Sequence, residues 1–224
     1  MNGWIAFLRD LIEQMPLILA GLSQSLQLTV IISITGLLLG IVVFYFSQSQ
    51  CAWVRRVIEA YISFFIGMPL IVLLFLMYYG FPQWGISMSP FMVAVTGFTF
   101  NVAAYNAAYI TTAYNGIDRS EIEAAKAQGF NHLQVFRFIT LPQVLRLSVP
   151  ALTNQVICNL KDSSVAFLIQ YTEFFARVQE LAATNFQFFR AYVFAALVYL
   201  ACVSIIVLCA RGIERRVVIP GVCR

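Results

Sequence analysis

Charge is scarce in this chain: Asp, Glu, Lys and Arg make up 11% of its 224 residues, against 61% hydrophobic ones. One soluble core of that length cannot cover so much apolar surface, which excludes a soluble globular domain. Histidine is nearly absent. With His132 alone, and carboxylates mostly in loops, neither an intramembrane protease nor a metal site can be assembled. The five cysteines (51, 158, 202, 209 and 223) form no C-x-x-C pair and read as free thiols rather than a disulfide framework or zinc ligands. The two lysines, Lys126 and Lys161, are not preceded by the G-x4-G-K spacing of a phosphate loop, so the chain carries no ATPase of its own. A net charge of +4 does not point to nucleic acid. Twenty Phe, ten Tyr and three Trp exclude disorder.

What is present is a series of apolar runs about twenty residues long, too long for barrel strands and suited to membrane-spanning helices. The fold class is therefore an all-α polytopic membrane protein, one transmembrane domain over residues 1–224. Trp4, Phe7, Leu8, Leu11 and Ile12 lie at helical spacing opposite Arg9, Asp10 and Glu13, which predicts an interfacial helix over residues 1–16 ended by Pro16. Asp10 and Glu13 argue against a cleaved signal peptide. Runs follow at 17–46, with Gly36 and Gly40 spaced for close helix packing, then at 57–80, 91–109, 149–169 and 192–210. Gly67 and Pro69 break the second of them.

Five spans put the termini on opposite sides, and the basic residues decide which is which. Arg55, Arg56, Arg119, Lys126, Arg137, Arg146, Arg211, Arg215, Arg216 and Arg224 share one side, against Arg9, Arg177 and Arg190 on the other. Positive charge collects in the cytoplasm, so the N-terminus is outside and the 113–147 loop is cytoplasmic.

Within that loop, Ser120 and Glu123 have the spacing of a capping box, Gly129 marks a helix end, and Asn131 with Gln134 repeats the start signal. Pro142 stops the second helix near Leu141, giving two short helices with a sharp bend. Ile122, Ala125, Phe130, Leu133, Phe136 and Phe138 are more apolar than a solvated loop needs. These signals allow two readings: the loop packs on its own bundle, or it inserts into a partner's groove.

Glu123-Ala124-Ala125, then Gly129, then Ile139, Leu141 and Pro142 resemble without a gap the E-A-A-x3-G-x9-I-x-L-P loop of ABC importer permeases. The likeness runs over about residues 21–216 and is nearest to the polar amino-acid permeases, through Gly67-Met68-Pro69-Leu70, Tyr78-Tyr79-Gly80 and Lys161-Asp162-Ser163-Ser164. It implies a multi-pass subunit of the bacterial inner membrane that takes up polar amino acids, basic ones foremost. It also implies a separate ATP-binding subunit carrying ATP and Mg²⁺, docked on the loop, and an extracytoplasmic amino-acid-binding protein. The family's Glu and Arg are replaced by Ser63 and Ile66 before Gly67, and a second Glu and Arg are lost at Ala108 and Thr111. Those losses suggest pairing with a different second permease chain.

For a substrate pathway, Gln155, Asn159 and Asp162 recur at i, i+4 and i+7 on one helix face, with Lys161 beside them. Asn101 and Tyr105 are weaker candidates. A secondary carrier is the rival function, since it also uses broken spans and buried charges. It does not call for the loop motif, and the chain has no internal repeat.

Overall fold

The computed structural model describes residues 2–217, without the side chains of Asn2, Arg119, Asn185 and residues 213–217. Cys223 and Arg224 lie outside the described residues. Helices α1 (Asn2–Ser47), α2 (Ala52–Gly67), α3 (Leu70–Phe75), α4 (Pro90–Asn115) and α5 (Arg119–Ala127) are followed by α6 (His132–Val135), α7 (Leu141–Asp162), α8 (Phe174–Asn185) and α9 (Phe188–Val217). Four apolar stretches are long enough to cross a membrane: 3–47, 90–115, 132–169 and 188–212. The pair Ala52–Gly67 and Leu70–Trp84, bent by 100°, makes a fifth.

The bend is a proline effect with a visible remedy. Pro69 has no N–H to give the carbonyl four residues back, that of Phe65, and Met68 and Pro69 are extended. In hydrocarbon an orphaned carbonyl costs several kcal/mol, so another element must supply the donor. The Asn101 side chain on α4 does so, its Nδ2 donating to Phe65 O at 2.8 Å. The Tyr61 hydroxyl adds a second bond across the same seam, to Phe100 O at 2.7 Å.

At the centre lies α4, whose inner face of Ala94, Gly97, Phe98, Val102, Ala103 and Ala107 is buried. It packs on α1 where Gly36 and Gly40 leave room. A Cβ at Gly36 would come 2.5 Å from Val102 Cγ1, and one at Gly40 would come 2.8 Å from Asn106 Cβ. The glycine pair thus serves packing within the chain.

Two expectations about the ends of this framework need correction. Pro16 does not end an N-terminal helix, because α1 runs unbroken from Asn2 to Ser47 with Pro16 inside. The lost bond to the Ile12 carbonyl is outweighed by burial of Phe7, Leu11 and Ile18 among Phe174, Val178 and Leu181 of α8 and Ala191 and Ala195 of α9. Likewise Pro142 does not stop a helix. A π-helical turn over Phe136–Thr140, in which Leu141 N donates to Phe136 O, widens the helix just before the proline, so that α6 runs on into α7.

Hydropathy gives no hint of α8. Its start is fixed by Glu173, fully buried between α1 and α9. The carboxylate accepts from Phe175 N at 2.9 Å, Ala176 N at 2.8 Å and the Ser25 hydroxyl at 2.8 Å, and Ser25 Oγ in turn accepts from Phe174 N at 3.0 Å. Burial pushes the Glu173 carboxyl up from its ordinary range, and these donors oppose the shift.

Two substitutions test this packing. Gly36→Leu should cost about 1–3 kcal/mol by overpacking and lower the melting temperature in detergent. Gly212→Ala, whose Cβ meets nothing within 4 Å, should leave it unchanged. Glu173→Ala should cost about 2 kcal/mol by orphaning the first N–H groups of α8, and Glu173→Gln, which keeps an acceptor, should cost less in the same melt.

Candidate functional site

The cytoplasmic loop is built from its caps. Asp118, two residues before the expected Ser120, is the N-cap of α5 and accepts from Ser120 N at 2.9 Å. That bond, with one from the Ser120 hydroxyl, holds the Asp118 carboxyl below its ordinary range. Glu123 therefore does not close a capping box and stands exposed one turn into the helix.

At the other end Gly129 takes φ +88°, the left-handed conformation that glycine adopts without strain. Gly129 N donates to Lys126 O at 3.0 Å and Phe130 N to Ala125 O at 3.2 Å, so the last carbonyls of α5 are satisfied as the chain turns. Asn131 and Gln134 then form the expected reciprocal cap, at 2.9 and 2.8 Å.

The loop has two faces. Ile122, Ala125 and Val135 are buried together against Tyr114 and Ile139. Phe136 stacks edge-on against Tyr45 at 4.7 Å and lies 6.1 Å from Phe44, which fastens the loop to the end of α1. The Gln143 amide bonds Glu121, tying α5 to α7. On the outer face Glu123, Ala124, Ala127 and Gly129 are exposed, as are Leu133 at 59% and Phe138 at 62%. Of the motif residues, then, Glu123, Ala124, Gly129 and Pro142 face outward, Ala125 faces inward, and Ile139 and Leu141 are half-buried in the hinge to α7. The inner face thus packs on the chain's own bundle, and the outer face is left uncovered.

The polar stripe of the fourth span is divided. Gln155 and Asn159 are buried under α1 and α4, where Gln155 Nε2 donates to Asn159 Oδ1 at 3.0 Å and Asn159 Nδ2 to Ser33 Oγ at 2.9 Å. They border a cavity of ≈ 40 Å³ with Asn106, whose Oδ1 has no partner. Asp162, expected on the same face, is exposed, as are Lys161 and Asn154. Asn101 supports the bend at Pro69, and Tyr105 is half-buried beside Tyr109 at 6.4 Å between ring centroids. The uncovered polar face of α7 is thus Asn154, Lys161 and Asp162. Asn154 could have been found from the sequence, since it precedes Lys161 by seven residues and so shares its side of the helix.

Comparison with known proteins places this architecture. Residues 32–219 match the family model described as binding-protein-dependent transport system inner membrane component. The L-cystine transport system permease protein TcyB of Bacillus subtilis (strain 168) is 32% identical over 92% of this chain and 90% of its own length. The arginine transport system permease protein ArtQ of the same organism is 31% identical over 92% and 94%. A chain from the crystal structure of an amino acid ABC transporter with histidines superposes with a TM-score of 0.84 at 27% identity, covering 92% of this chain and 96% of that one. With its spans, this makes the chain a multi-pass protein of the bacterial inner membrane. It belongs to the family of binding-protein-dependent transport system inner membrane components, as an amino-acid ABC transporter permease.

Proposed function

We propose that this chain is one of two permease subunits in an ATP-driven importer of polar amino acids, basic ones foremost, and that its cytoplasmic loop docks the ATP-binding subunit. The observation that carries this reading is the two-faced loop: Leu133 and Phe138 uncovered on one side, Ile122, Ala125 and Val135 packed into the bundle on the other. A partner cleft closing on the outer face would move α5 and α6, and the unbroken run from α6 into α7 would carry that motion into the membrane. ATP and Mg²⁺ belong to the partner, and an extracytoplasmic binding protein delivers the amino acid. Nothing in this arrangement calls for the rival secondary carrier, which has no use for an outward-facing docking loop.

The substrate side rests on the exposed face of α7. Asp162 sits there uncovered, at a depth where charge is expensive unless the face borders water or another protein. We assign that face to the boundary with a second permease chain, a different one that supplies the charges missing near Ser63, Ile66 and Thr111. A carboxylate on this boundary favours a cationic amino acid over a zwitterion such as cystine. Gln155 and Asn159, being covered, hold the helices together instead of lining the path.

Affinity purification in mild detergent, followed by mass spectrometry, tests the assembly. An ATPase and a second, different permease should co-purify with the tagged chain, and Ala124→Asp or Leu133→Asp, both at exposed positions, should lose the ATPase while leaving the chain folded. Recovery of this chain alone would overturn the importer reading. In proteoliposomes Asp162→Asn should lower arginine uptake about ten-fold, the value of one charge-assisted contact, and cystine uptake less. An equal effect on both would refute the assignment to basic substrates.

A further inference from the structure

A cavity of ≈ 280 Å³ lies between the cytoplasmic end of α1 and the loop, away from the docking face. Tyr45, Phe46, Tyr114 and Phe136 form its walls. Its polar lining is Gln48, Ser49, Gln50, Lys126, His132 and Thr140, and no carboxylate side chain lines it among the described residues. A site with a cation, an imidazole, side-chain amides and no acid suits an anion. Its volume, just under the range typical of small-molecule sites, suits a headgroup more than a whole metabolite.

A second observation says where the rest of that ligand goes. Leu26, Val30, Ile34, Leu38, Val42 and Phe46 repeat at every fourth residue of α1, and each is exposed by 41–60%. Twenty residues of helix rise about 30 Å, the depth of the hydrocarbon core. The ridge ends at Phe46, which is also a wall of the cavity. Helix–helix contacts in membranes favour small residues, and the small residues of α1, Gly36 and Gly40, are already used against α4. A ridge made only of bulky aliphatic and aromatic side chains favours lipid over a second helix.

We propose that this cavity binds the phosphate of an anionic phospholipid whose acyl chains lie along the cytoplasmic half of the α1 ridge. Lys126 and His132 hold the phosphate, and the aromatic walls receive the glycerol end. Basic pockets on the cytoplasmic side of helical bundles take anionic headgroups in this way. The lipid would then bridge α1 and the underside of the loop, next to Ile122 and Val135.

Native mass spectrometry of the purified protein, supplied with phosphatidylglycerol and phosphatidylcholine in equal amounts, tests the site. The wild type should retain phosphatidylglycerol about ten-fold over phosphatidylcholine. Lys126→Gln should reduce that preference about five-fold, as expected for one cation near an anionic headgroup, and Lys126→Gln with His132→Gln should abolish it. Arg55→Gln, at an exposed cation that does not line the cavity, should keep it. Glycerol phosphate, a headgroup without chains, should compete only weakly. Equal retention of the two lipids, an unchanged preference in the double variant, or full displacement by glycerol phosphate would each overturn the proposal. Lipid retention needs no ATPase, so failure here leaves the importer reading untouched.

Discussion

Gly36 and Gly40 let α1 and α4 pack closely, and α4, once fixed there, also packs against α2, α3 and α7. From one stretch of α4, Asn101 reaches the carbonyl that Pro69 leaves orphaned, so the broken second span is tolerable only because α4 stands beside it. One turn further along, Asn106 borders the small cavity beneath Gln155 and Asn159 of α7. The glycines let α4 take its place, and Asn101 uses that place to bond Phe65 O.

The same economy governs the two ends of the molecule. Outside, a single buried carboxylate, Glu173, caps α8 and bonds Ser25 of α1, so that short helix is held against two spans by hydrogen bonds as well as by Phe174, Val178 and Leu181. In the cytoplasm, aromatic rings do the corresponding work: Phe44, Tyr45, Tyr114 and Phe136 clasp the loop to the end of α1. The loop is therefore neither free nor wholly absorbed. Its inner face is part of the core and its outer face is open.

Much of this was legible from residue patterns. Apolar runs of about twenty residues with basic loops on one side define the spans and their direction, because both follow from the cost of charge and of unpaired backbone in hydrocarbon. Gly129 and the Asn131–Gln134 cap are local conformational signals and hold in the structure. Prolines were less legible. Pro16, Pro69 and Pro142 look alike in the sequence, yet only Pro69 breaks its helix: packing carries α1 through Pro16, and a π turn absorbs Pro142. Whether Pro16 breaks its helix depends on how that helix packs, and the residues it packs on are distant in sequence.

Local residue patterns suffice for the membrane class, the broken second span, the position of the cytoplasmic loop and the motif that ties it to importer permeases. These depend on composition and on spacing within a few turns. Long-range packing decided which polar residues are covered. Gln155, Asn159 and Asp162 share a helix side by spacing, but α1 and α4 cover the first two and leave the third open. It also decided that the loop has an inner and an outer face, and that Glu173 is a buried cap. Each of these depends on contacts between residues as far apart as Ser25 and Glu173, and no local pattern encodes such a contact.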